Sequence, residues 1–238
     1  MKNEATLSKK QRDYARRVIA DPVLFAKHVL GVEVWEKQAE ILQSVKNNRR
    51  TAVKACHGVG KTFALAIAAL WWLARYPEGI VLTTSATQRQ VRTQLWSEIH
   101  RLVAGARVPY PPLKTTELIL RDPNNFAIGF STHQSENFQG YHGKYVLIIA
   151  DEAPGIESGI WDAIAGTMAA GKVHIVMAAI QPYPRARFST PLPGSEDSGS
   201  ASASTPWIHQ ISKGSRLSSC CSSTPARVVR SIKIRFLT

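Results

Sequence analysis

The sequence predicts an α/β fold: a mostly parallel sheet with helices on both faces, built in the first three quarters of 238 residues. Three observations predict it. Short apolar runs alternate with longer amphipathic segments, the order that yields parallel strands joined by helical crossovers. One run, Tyr145-Val146-Leu147-Ile148-Ile149-Ala150, is apolar throughout, as a strand covered on both faces must be. Another run, 51–55, ends in a glycine-containing turn that leads directly into an apolar helix.

Taken in order, helical spacing predicts helices over 8–19 and 35–45, then the strand 51–55 and the helix 61–75. A strand over 79–84 and an amphipathic helix over 87–103 repeat the pattern. Two further strands follow at 117–121 and 125–131, then the strand 145–150, a helix over 161–170 and a strand over 172–178. No internal repeat is visible.

Composition narrows the class. With 44% apolar and 20% charged residues the balance is that of a globular protein, which excludes disordered and collagenous chains. No apolar run approaches the roughly 20 residues that span a bilayer, and the opening MKNEATLSKKQRD is too polar for a secretory signal. The expectation is an intracellular protein with no membrane partner. Cys56 and the adjacent Cys220 and Cys221 offer neither a disulfide framework nor a zinc spacing. The formal charge of +13 points to a polyanionic partner, but it is unevenly placed, +7 over 1–178 and +6 over 179–238. The second region also holds 13 of the 20 serines and 6 of the 13 prolines, so the two regions are read separately. The division is an N-terminal helical segment 1–50, an α/β core 51–178 and a Ser/Pro-rich basic tail 179–238, expected to be non-globular.

Two constellations carry chemistry. Ala55-Cys56-His57-Gly58-Val59-Gly60-Lys61-Thr62 lies between a strand and a helix. A phosphate-cradling loop needs small residues so that successive backbone N–H groups converge on phosphate oxygens, then a lysine for their charge and a hydroxyl for Mg²⁺. Gly58, Val59, Gly60, Lys61 and Thr62 meet that need, and the helix after them offers its N-terminus to the anion. Ala55 stands where the usual pattern has its first glycine. Downstream, the strand 145–150 ends in Asp151 and Glu152. An aspartate at that strand end suits a magnesium ion, and the adjacent glutamate can orient and deprotonate an attacking water, which selects hydrolysis over kinase chemistry.

These stretches, VKACHGVGKT, VLTTSATQRQVRTQLWSEI, NFQGYHG, YVLIIADEAPGI and VHIVMA, together resemble the ATPase domain of tailed-phage terminase large subunits over about 20–178. The resemblance implies a P-loop NTPase fold of the ASCE type, ATP and Mg²⁺ as cofactors, and catalysis by Glu152 with Lys61. Thr62 and Asp151 would carry the metal, and Gln38 the adenine. It implies double-stranded DNA, a portal protein, a small terminase subunit and further copies of the chain as partners, in the cytoplasm of a phage-infected or lysogenic bacterium. Thr87 and Gln90 would lie near the nucleotide or the DNA track. One departure falls in the loop: many terminases have an arginine four residues before the lysine, where this chain has His57. A neutral imidazole is a poorer transition-state cation, so the arginine's role does not carry over. The cluster Lys9, Lys10, Arg12, Arg16 and Arg17 reads as a solvated helix face or as a phosphate contact.

The tail departs from the family. After VHIVMA, terminases read Gly-Asn-Pro-Thr, the motif held to couple hydrolysis to motion, whereas here Ala179-Ile180-Gln181-Pro182 follows. Codons built from the third base of each residue's codon and the first two of the next permit Gly-Asn-Pro-Thr-Ile-Pro-Ser-Gly-Pro-Phe across 178–188. The same shifted frame permits a second terminase-like stretch across 205–215. The expectation is one lost nucleotide near codon 178, with 179–238 read out of frame; the competing reading is a true basic tail that binds DNA non-specifically. With Glu196 and Asp197 as its only acids, the tail cannot supply a nuclease metal cluster. The expected function is thus an ATP-binding and hydrolysing packaging motor without a nuclease domain. Its alternatives are a helicase-like translocase and a prophage remnant that at most binds nucleotide.

Overall fold

The computed structural model describes residues 8–56, 58–121, 123–131, 140–168 and 172–180. Its centre is a six-stranded sheet: β1 (Arg50–Ala55), β2 (Gly79–Ser85), β3 (Glu117–Ile119), β4 (Phe126–Ser131), β5 (Tyr145–Ala150) and β6 (Lys172–Ile180). In space the order is β1-β6-β5-β2-β4-β3, parallel throughout except for β3, which runs antiparallel to β4. The last described strand is therefore wedged between the first and the fifth.

The strands form where the apolar runs stand, and alternation divides their side chains between two cores. Val81, Leu147, Ile149 and Val176 face one layer of helices. That layer holds α1 (Lys9–Ala20), α2 (Pro22–Phe25, passing into a π-helical turn at Ala26–Leu30), α3 (Glu36–Asn47) and α4 (Lys61–Arg75). It is completed by α5, which starts as Gln88–Gln90, widens into a π-helical turn at Val91–Leu95 and ends as Trp96–Ala104. Leu82, Val146, Ile148, Val173 and Ile175 face the other way, onto α6 (Ser158–Met168) through Ile160, Ala163 and Ile164. Helices on both faces are what the alternating pattern predicts.

Central helix α4 is buried almost all round, which its run of alanines permits by letting neighbours approach closely. Its two adjacent tryptophans satisfy their indole N–H groups inside the core: Trp71 Nε1 donates to the Ile19 carbonyl at 2.9 Å and Trp72 Nε1 to that of Tyr145 at 3.4 Å. Asn125 fixes the turn from α4 into β2, its Nδ2 donating to the carbonyls of Leu73, Tyr76 and Gly79 at 2.9 to 3.3 Å. Those of Leu73 and Tyr76 are carbonyls that a helix end leaves without an internal partner.

Two differences from the sequence reading have physical causes. The segment 22–30 carries no predicted element; Asp21 caps it by accepting from the Val23 and Leu24 N–H groups, and Pro22 opens it. Also, β6 runs beyond 178: Ala179 and Ile180 remain in the sheet opposite Lys54 and Ala55 of β1. The tail 181–238 lies outside the described residues, as do His57, His133 and His209.

Candidate functional site

The candidate residues meet at the carboxyl edge of the parallel strands, where open α/β sheets bind ligands. Between β1 and α4 the chain turns through Gly58 and Gly60, both left-handed with φ of 77° and 75°, a region that strains any residue with a Cβ. Gly60 is doubly constrained, because a Cβ there would collide with the Gln38 side-chain amide. Lys61 and Thr62 begin α4 immediately after it.

Lys61 is buried, and its ammonium donates to two carbonyls of its own loop, Ala55 at 3.1 Å and Cys56 at 2.8 Å. Thr62 Oγ1 donates to Asp151 Oδ2 at 3.1 Å, so the loop and the end of β5 are in direct contact. Asp151 is only 2% exposed. Its other oxygen, Oδ1, accepts from the Glu152 N–H at 3.1 Å, and its own N–H donates to the Thr84 carbonyl at 2.9 Å. Burial raises the Asp151 pKa above the ordinary carboxyl value; the Thr62 hydroxyl, the Glu152 N–H and the Lys61 charge pull it down by less.

Glu152 is, among the described residues, the one non-glycine with positive φ, at 53°. Such a conformation costs about 1–3 kcal/mol and is characteristic of functional sites. It turns the chain from β5 into the 3-10 turn Ala153–Gly155.

Gln38 reaches the loop from α3. Its Nε2 donates to the Gly60 carbonyl at 3.3 Å and its Oε1 accepts from the Trp35 N–H at 3.3 Å. The sequence points to Gln38 but not to Trp35 as a site residue. The structure ties the Trp35 indole to the loop, Nε1 donating to the Val59 carbonyl at 3.4 Å, while leaving the residue 41% exposed. Ser85 and Thr84 are likewise missed by sequence reasoning. Both are buried at the end of β2, and neither hydroxyl has a hydrogen-bond partner among the described residues. Thr84 stands opposite Ala150 in the parallel register, which sets Ser85 beside Asp151 at the same edge. A polar pair closing an apolar strand is the signal that could have found them.

One hydroxyl and one buried carboxylate in contact, with unpartnered hydroxyls at the adjoining strand end, fit a cation that keeps most of its water ligands, as Mg²⁺ does. Among the described residues no group of three His, Cys, Asp or Glu side chains converges into an all-protein metal cage.

Other candidates fall elsewhere. Thr87 caps α5, its Oγ1 accepting from the Gln90 N–H at 3.2 Å. Lys9, Lys10, Arg12, Arg16 and Arg17 lie on the exposed face of α1. His174 is a packing residue, Nδ1 lying 2.8 Å from the Val45 carbonyl and the ring 4.9 Å from Trp72.

A sheet in which an additional strand separates the strand before the glycine loop from the strand that ends in acids defines a P-loop NTPase of the ASCE type. The chain belongs to the terminase large subunit family: the model of "Terminase large subunit, T4likevirus-type, N-terminal" matches residues 55–190, beginning at the loop and running past the 178 boundary drawn from sequence. A relative described as "Probable terminase, large subunit", from Enterobacteria phage P7, is 27% identical over 177 residues, covering 69% of this chain and 34% of that protein. The chain thus spans about a third of that curated relative's length. The large terminase of a thermophilic bacteriophage shares the fold with a TM-score of 0.52 at 12% identity, over 60% of this chain and 38% of that one. The Thermus phage P74-26 large terminase ATPase domain aligns with a TM-score of 0.48 at 20% identity, over 62% of this chain and 66% of that one.

Proposed function

We propose that this chain is the ATP-binding and hydrolysing motor domain of a DNA-packaging terminase, with the residues around Thr62 and Asp151 as its nucleotide site. The 3.1 Å contact between those two side chains carries the reading, because it joins a phosphate loop to an acid-bearing strand 89 positions later. The backbone N–H groups of 58–62 and the N-terminus of α4 receive the phosphates. Lys61 releases its loop carbonyls and transfers its ammonium to phosphate oxygens. Thr62 and Asp151 hold magnesium, which when bound neutralises charge developing on the phosphates. Glu152 takes a proton from the water whose oxygen attacks the terminal phosphorus as ADP leaves. Gln38 and Trp35 receive the base beside the loop, the amide by hydrogen bonding and the exposed indole by stacking.

On this reading the partners are double-stranded DNA, other copies of the chain, a portal ring and a small terminase subunit, in the cytoplasm of a phage-infected or lysogenic bacterium. A second reading, a chain that binds nucleotide without coupling hydrolysis to movement, is favoured by the end of β6. There Ala179 and Ile180, beside Lys54 and Ala55 of β1, supply no polar side chain.

Nucleotide binding and phosphate release by the whole chain test the proposal against Lys61→Ala and Glu152→Gln. The expected result is binding lost in the first, and turnover lowered by about 10²–10⁴ with binding kept in the second. A wild-type chain that ATP with magnesium fails to stabilise would defeat it.

A further inference from the structure

The nucleotide reading leaves the segment after β2 without a role. Along the start of α5 lies a groove of about 470 Å³ lined by Gln88, Arg89, Arg92, Thr93 and Thr115. Four of these come from one helix and Thr115 from the chain leading into β3, so the groove has two walls. Arg89 and Arg92, three positions apart in α5, both line it. Both are exposed, and no ion pair among the described residues engages either guanidinium, whereas Arg16 and Arg101 lie against Asp13 and Glu98. Among the described residues no acidic side chain lines the groove.

Thr93 Oγ1 donates to the Arg89 carbonyl at 2.8 Å, which leaves two guanidiniums, the Gln88 carboxamide and the Thr115 hydroxyl as a donor-rich set whose complement is phosphate oxygen. A repeat of guanidiniums along a helix suits a chain of phosphates. Among the described residues the lining holds no aromatic ring on which an unpaired base could stack, which favours duplex backbone over single strand. The groove also adjoins the nucleotide edge. Gly155, three residues past Glu152, packs so closely on Ala86 that a Cβ there would overlap it, and Ala86 is three residues before Arg89.

We propose that this groove binds the phosphate backbone of double-stranded DNA through Arg89 and Arg92. The choice of DNA over another polyanion rests on the motor reading above; the anion site itself does not.

The test is fluorescence anisotropy of a labelled random-sequence duplex with the whole chain at several salt concentrations, the basic tail being common to every variant. In Arg89→Ala/Arg92→Ala the affinity should fall, and the slope of log affinity against log salt should shrink by about 2, roughly one for each lost phosphate contact. Arg101→Ala, whose guanidinium is already paired, should leave both unchanged. An unchanged slope in the double variant overturns the proposal, as does a wild-type chain that binds no duplex. Competition by polyglutamate as effective as that by unlabelled duplex overturns it in favour of an acidic protein partner. Arg89→Gln/Arg92→Gln, with an unshifted thermal midpoint, serves if the alanine pair fails to fold. Lys61→Ala separates the two sites: loss of ATP binding with an intact DNA slope concerns the nucleotide reading alone.

Discussion

Asp151 is a costly residue where it stands. A carboxyl whose folded pKa lies above its ordinary 3.8 favours the folded state only while protonated, and that contribution is lost as pH rises through the folded value. Burial therefore makes the ionised form of Asp151 one that the fold alone does not repay. Replacing Asp151 with Asn should raise the thermal midpoint at pH 7 while abolishing the extra stabilisation that ATP gains from magnesium, read by thermal denaturation with and without both ligands. A lowered midpoint would show that the Thr62 contact outweighs the burial. Lys61, Thr62, Asp151 and Glu152 are legible in the sequence one by one, since each is fixed by position after a strand or before a helix. Trp35 and Ser85 are not, because their nearness to the loop arises from how α3 and β2 lie against it.

Elements are legible where apolar periodicity and breakers agree. For α4 and β5 the predicted bounds coincide with the observed ones, because Gly60 and the Asp151-Glu152 pair punctuate them. The segment 22–30 escapes because its helical turn is short and its π-helical turn breaks the usual spacing. Within β6, His174 is buried among Trp72 and the Val45 carbonyl, and its pKa falls below 6.5. Burial is the main cause, helped by the Lys172 and Arg49 charges and opposed by the Val45 bond. The unfolded chain takes up that proton below about 6.5 while the folded one resists it, so stability should fall as pH drops from 7 towards 5. Urea denaturation across that range, flattened in His174→Gln, checks this. An equal slope in the variant would assign the acid sensitivity to other groups.

At the scale of the molecule the frame expectation meets the fold at one place. Sequencing the gene through the codons for 176–182 should reveal one nucleotide fewer than a continuous terminase frame requires; a shifted frame full of stop codons would instead make the basic tail authentic. Either outcome leaves the described sheet closed, because β6 is complete by Ile180. Late closure has its own cost in time. Among the described strands β1 has β6 as its sole neighbour, and the pairing joins residue 50 to residue 175. At about 5–20 residues per second, a ribosome needs on the order of ten seconds to make the second partner after the first. During that interval the nascent phosphate loop hangs from an unpaired strand, so a newly made chain should be most exposed to proteases and to mispairing just before its ligand pocket comes into being.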